Sequence, residues 1–246
     1  MLNDTKEKIR GIVLKCVNNA IDRISSDRTF RPFHEALLSK ELINASAFER
    51  SFSTSFGQGP VEEISKLVAI DNGAIAERQK ETMVSIYKGA IDQIDRIISD
   101  LRSGNRQPNW VSEVKTVYAV NKGDTDVRRV LSDLWINKNG KNIYISIKTV
   151  KPNLDQTEIA KRDMLLLRAH DPQCITYFGL FYNPGGENRL DYNWTMPSKI
   201  FNMLQDECVL IGREYWDTIG GKGTYVDLLE VFKNVGVITR QRLKSL

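Results

Sequence analysis

Apolar residues recur at helical spacing near the start of the chain, where Ile9, Ile12, Val13, Cys16, Val17, Ala20 and Ile21 form one stripe. They predict an amphipathic helix over residues 6–24. A second helix is expected from Pro60, a residue favoured at the first helical position, with Glu62 on the same face as Ser65 and Ala69. Residues 74–102 predict one or two more. The period changes after the turn-rich break Arg106-Gln-Pro-Asn-Trp110: Val114, Thr116, Val117, Tyr118 and Val120 suit a strand over 111–120, where the sheet is expected to begin. Residues 127–136 and 142–150 flank Asn139-Gly140, a strong type I′ hairpin signal. A helix capped by Asp155 or Thr157 should run to His170, followed by a strand at 174–182 and a helix at 198–205. Gly220-Gly-Lys-Gly lacks the frame of a P-loop and reads either as a helix stop or as a loop of backbone donors for phosphate; a closing helix over 224–235 leads into a basic tail with Arg240, Arg242 and Lys244. This order predicts an α/β fold with a central mixed sheet flanked by helices. A helical region, 1–105, gives one helix to a core formed by 106–246, in one compact domain.

The hairpin carries the candidate chemistry. On its second strand Ile143, Ile145 and Ile147 alternate with Tyr144, Ser146 and Lys148, so Ser146 and Lys148 share the face opposite the isoleucines. Asp133 lies on the first strand. One acid and one lysine offered by adjacent strands are the skeleton of a metal-dependent phosphodiesterase: hard Mg²⁺ takes carboxylate and water oxygens, and a lysine orients the attacking water and stabilises the anionic transition state. A solvated surface hairpin has the same spacing. Ser146 stands where a second carboxylate is usual, and Glu158, in the first turn of the next helix, is the candidate replacement.

The runs Ser132-Asp133-Leu-Trp-Ile, Ile145-Ser-Ile-Lys-Thr-Val-Lys-Pro-Asn-Leu-Asp-Gln-Thr-Glu158, Tyr192-Asn-Trp-Thr-Met-Pro and Glu214-Tyr-Trp-Asp-Thr-Ile-Gly-Gly-Lys-Gly-Thr-Tyr resemble type II restriction endonucleases of the TdeIII family over most of the chain. The resemblance implies a PD-(D/E)XK nuclease core, Mg²⁺ dependence and double-strand cleavage of DNA at GGNCC-type sites. It places Asp133 and Glu158 on the metal and Lys148 at the water, and it makes Glu62 a further metal-site acid, with Glu63 as its alternate. A homodimer on a palindromic duplex is expected, together with a cognate DNA methyltransferase that shares the target without binding the enzyme.

Composition agrees with these expectations without adding to them. The chain of 246 residues is 41% apolar and 27% charged, with a net charge of +4, too weak a bias to identify a nucleic-acid binder. Arg128, Arg129, Lys138, Lys141, Lys161, Arg162 and Arg168 surround the candidate site and are expected to meet phosphates. Cys16, Cys174 and Cys208 are unclustered and expected to be reduced and buried; His34 and His170, the two histidines, exclude a His-rich hydrolase. No signal peptide or membrane span is read, so a cytoplasmic protein with no membrane partner and no organic cofactor is expected. A structure-selective repair nuclease on the same core and a non-catalytic DNA-binding module stay open as alternatives.

Overall fold

The computed structural model describes residues 1–57 and 59–243. Four helices come first, α1 (Asn3–Ser26), α2 (Pro32–Leu37), α3 (Lys40–Gly57) and α4 (Pro60–Asp71). They are followed by β1 (Ile75–Tyr87), α5 (Lys88–Ser103), α6 (Trp110–Ala119), the hairpin β2 (Thr125–Lys138) and β3 (Lys141–Lys148), α7 (Leu154–His170) and β4 (Ile175–Leu180). The chain closes with β5 (Val209–Ile211), α8 (Arg213–Gly220) and α9 (Thr224–Leu243). The five strands lie in sequence order in one mixed sheet, β1–β2–β3 antiparallel and β3–β4–β5 parallel. Asn139 and Gly140 both take positive φ, 53° and 78°, as a type I′ turn requires.

Helices cover both faces of the sheet. Ile143, Ile145 and Ile147 meet Leu134 and Ile136 on the face packed by α1, α4, α8 and α9, where Gly179 lets Tyr215 lie close against β4. Tyr144, Phe178 and Leu180 face α5, α6 and α7. Helix α5 shows how one stripe holds the second layer: Ala90, Ile94, Ile97, Ile98 and Leu101 are all buried, each isoleucine contributing roughly 2 kcal/mol of transfer free energy, and Gly104 ends the helix at φ 80°.

Several elements differ from the sequence expectation. Residues 75–87, expected to be helical, form the long edge strand β1, because only Val84 and Ile86 are buried and its Glu, Arg and Lys side chains line a half-solvated edge. Residues 111–120, expected to be a strand, lie in helix α6: Asn109 caps it by accepting from Ser112 N at 2.9 Å, and Trp110, Glu113, Val114 and Val117 face inward at helical spacing. Residues 198–205 form turns after the short 3₁₀ segment Met196–Lys199, since the Asp206 carboxylate takes the Asn202 N–H at 2.9 Å and competes with a helix. The cap of α7 is Asn153, paired with Gln156 in a capping box, in place of Asp155 or Thr157. The Gly220 region is a helix stop between α8 and α9, and Lys244 lies outside the described residues.

Candidate active site

Strand β2 is bent in its middle. Its ladder with β1 skips one rung, between Arg78↔Leu134 and Lys80↔Ser132, where Gln79 takes the left-handed φ of 51° opposite Asp133. The bend moves alternate positions from one core to the other: Leu134 and Ile136 pack on the α4 face, whereas Val130 of the same parity joins Val84 and Ile86 on the α5 face. On the other side, the β2–β3 ladder ends at Leu134↔Ile145. Asp133 therefore stands where β2 leaves β3 and misses one rung with β1.

Its carboxylate fills the wedge. Asp133 Oδ2 accepts from Ile147 N at 2.7 Å and Lys148 Nζ at 2.8 Å, with the Ser146 hydroxyl at 3.4 Å. These three bonds fall on a single oxygen, and both charged side chains keep about a fifth of their surface exposed. Asp133, Ser146 and Lys148 are thus together, as the hairpin register predicts. Past Lys148 the chain is pinned by two side chains of the α5–α7 layer, where Tyr192 Oη donates to Val150 O at 3.1 Å and Trp194 Nε1 to Pro152 O at 2.9 Å. That gives the Tyr192-Asn-Trp194 run a structural task in fixing the path from Lys148 to α7.

Glu158 points elsewhere. Both of its oxygens are held by Arg102 of α5, at 2.9 and 2.8 Å, and the same guanidinium takes Asp155. The acid of α7 that reaches the charges of the site is Asp163, which sequence reasoning missed. It makes no hydrogen bond or close ion pair with the described residues. Burial pushes its carboxyl up to about 6; the Lys148 and Arg162 cations oppose the shift and the Asp133 charge adds to it. A cue was available in the sequence. Asp163 directly precedes the buried apolar run Met164, Leu165, Leu166 and Leu167, where a charged side chain is expected to be paired or functional.

Glu62 is anchored at the bend. Its Oε2 accepts from Gln79 Nε2 at 2.9 Å and from Arg78 Nε at 3.2 Å, while Glu63 takes Arg78 Nη1 at 3.0 Å. The fully buried Tyr215 hydroxyl, 2.7 Å from Ser65 Oγ, lies within reach of both acids: burial raises it most, Ser65 lowers it, and the charges of Asp133 and Glu62 raise it further. Glu62 and Asp133 thus belong to one neighbourhood.

The cations of α7 do not form the expected phosphate surface. Lys161 is fully buried, 2.5 Å from Glu113 and 2.6 Å from the carbonyl of Ile200. Arg162 pairs with Asp95, and Arg168 donates to the Cys174 carbonyl. Arg128 and Arg129 remain at the surface, paired with Asp126 and Glu81. All three cysteines are buried thiols. Among the described residues, no three His, Cys, Asp or Glu side chains gather as a metal-binding group, and no helix is long and apolar enough to cross a membrane.

The oxygen donors still suit one hard cation. Asp133 Oδ1 takes none of the bonds that converge on Oδ2, Asp163 has no hydrogen-bond partner among the described residues, and Mg²⁺ needs only one or two carboxylates beside water and phosphate. The arrangement therefore provides an anionic pair for a cation and an ammonium for a phosphate or water oxygen.

Sequence comparison points to the same chemistry. The model of the HinfI type II restriction endonuclease family matches residues 1–236. The chain is 29% identical over 229 residues to the type II restriction enzyme HgiCII of Herpetosiphon aurantiacus, covering 90% of this chain and 83% of that protein. It is 28% identical to HgiEI of the same organism, over 90% of this chain and 82% of the relative. A more distant relative, the type II restriction enzyme MjaII of Methanocaldococcus jannaschii, is 26% identical over 93% of this chain and 70% of its own length. With the family model spanning nearly the whole sequence, the chain belongs to the HinfI family of type II restriction endonucleases.

Proposed function

We propose that this restriction endonuclease is a Mg²⁺-dependent enzyme of the PD-(D/E)XK class, related to the TdeIII family, that cuts both strands of DNA at a short palindromic GC-rich site of the GGNCC type. It acts as a homodimer in the cytoplasm, beside a methyltransferase that modifies the same site. The observation that carries the reading is the Lys148 ammonium 2.8 Å from the Asp133 carboxylate at the point where β2 leaves β3 and misses one rung with β1.

Asp133 and Asp163 would hold the cation, with Glu158 anchored by Arg102 at the start of α7. A divalent ion bound there neutralises charge on the phosphate and acidifies water. The chain's own groups do the rest. Asp133 accepts from the backbone of Ile147 and thereby fixes the strand that carries Lys148. Lys148 orients the water and stabilises the extra negative charge of the pentacovalent transition state. Ser146 offers a hydroxyl on the same side, and Glu62, committed to Arg78 and Gln79, holds the bend beside Asp133.

The test is a plasmid digest with the purified protein in Mg²⁺, with sequencing of the fragment ends. Discrete fragments that share one short palindrome at their ends are expected. Random nicking, or no cleavage in Mg²⁺ or Mn²⁺, overturns the proposal.

A further inference from the structure

The N-terminal helices extend well beyond the core they start from. Buried positions of α1 stop at Ala20 although the helix continues to Ser26, and the next buried residue is Phe56, near the end of α3. Between Ile21 and Ser55 no residue is buried. Helix α2 has no buried position, and six residues are far too few for a helix to hold by its backbone alone. At the tip of this arm stand the large apolar side chains: Phe30 is 77% exposed, Phe33 82%, Leu37 81%, Leu42 58% and Leu38 44%. Phe33 and Leu37 are one helical turn apart, so they share a face.

We infer that the tip of this arm is the surface through which two copies of the chain associate. The inference rests on the reading that both strands are cut by a symmetric pair, and adds the surface that makes the pair. Two arguments select a second copy as the occupant. The first is charge: residues 27–50 carry four Lys or Arg and four Asp or Glu, a balanced surface that complements itself and offers no excess of cations to a phosphate backbone. The second is area: covering the two phenylalanines and three leucines removes on the order of 600 Å² per copy, so a two-fold pair reaches roughly 1,200 Å², the lower end of specific interfaces. Five large, exposed apolar side chains within thirteen residues mark a surface for interaction.

The experiment is sedimentation equilibrium of the full chain, wild type against the double variant Phe33→Glu/Leu37→Glu, with thermal melts as the control for folding. A dimeric wild type and a variant whose association is weakened roughly thirtyfold or more, with its core still melting cooperatively, is the expected result. A wild type that stays monomeric at micromolar concentration, with and without DNA, overturns the inference. So does a variant that dimerises normally, including one that loses only affinity for DNA. If the charged variant fails to fold, Leu37→Cys treated with a short bis-maleimide replaces it: the native thiols are buried, so cross-linked dimers support the surface and their absence rejects it. The proposed reaction is tested separately. A monomeric variant that nicks one strand of the site upholds the reaction and the surface together, whereas a dimer that never cuts overturns the reaction alone.

Discussion

The Asp133 carboxylate accepts the amide of Ile147 at 2.7 Å, the position where the β2–β3 ladder has already run out of backbone partners. A side chain thus completes the pairing that the backbone leaves open, and the same oxygen holds Lys148. Removing this carboxylate frees the lysine and loses an oxygen donor at one stroke.

Asp133→Ala and Lys148→Met should each lower single-turnover cleavage of a cognate duplex by at least about 10²–10³-fold, the usual cost of losing an electrostatic stabiliser. Both side chains are about four-fifths buried and Asp133 also holds the Ile147 amide, so Asp133→Ala should lose some stability while still melting cooperatively. Equal losses of activity and of cooperative melting would assign the pair to stability instead.

Asp163→Asn and Glu158→Gln separate two of the three acids of α7. Loss of cleavage by about a hundredfold or more is expected for Asp163→Asn, and near wild-type cutting for Glu158→Gln, whose anchor to Arg102 is at the surface. The reverse ranking in cleavage assays would place the second acid at Glu158.

The raised Asp163 carboxyl gives a pH dependence of known sign. Below about pH 4 this group is protonated in both the folded and unfolded chain. Between there and its folded value of about 6, the native state keeps a proton that the unfolded state has lost, so stability falls as pH rises. Melting of the metal-free protein should therefore lose stability across this window, and the slope should flatten in Asp163→Asn. Cation affinity should run the other way, rising through pH 6 as the carboxyl ionises. A pH-independent difference between the two proteins would contradict the assignment.

Lys161→Met tests the buried pair on the α6–α7 interface. It leaves Glu113 with a buried charge that has lost its cation, and should destabilise the chain by about 3–5 kcal/mol, measured by urea denaturation. A double variant that also carries Glu113→Leu should recover much of this loss. No recovery would show that the lysine acts through the Ile200 carbonyl and the Phe201 ring.

How much of this was legible in the sequence depended on where each residue is buried. The hairpin was readable because Asn139-Gly140 and the alternating isoleucines state their period locally, and that register alone put Asp133, Ser146 and Lys148 together. The edge strand β1 was not, because Glu77, Arg78, Lys80 and Glu81 are good helix formers and strand character there comes from pairing with β2. In α6 the β-branched residues suggested a strand, while the decisive spacing of Trp110, Val114 and Val117 spanned the expected boundary. Asp163 and Lys161 sit two residues apart on one helix, one at the site and one in the core. Only packing distinguishes them.

The wedge at Asp133 also makes its carboxylate a pin for the sheet. Beyond it the far halves of β1 and β2 stand on α5 and the near halves on α4. The amide of Ile147 has its partner in a side chain rather than in a neighbouring strand, so its exchange with solvent reports the charge and position of Asp133 directly. One backbone proton thereby gives a spectroscopic reading of whether the site is assembled, independent of any turnover.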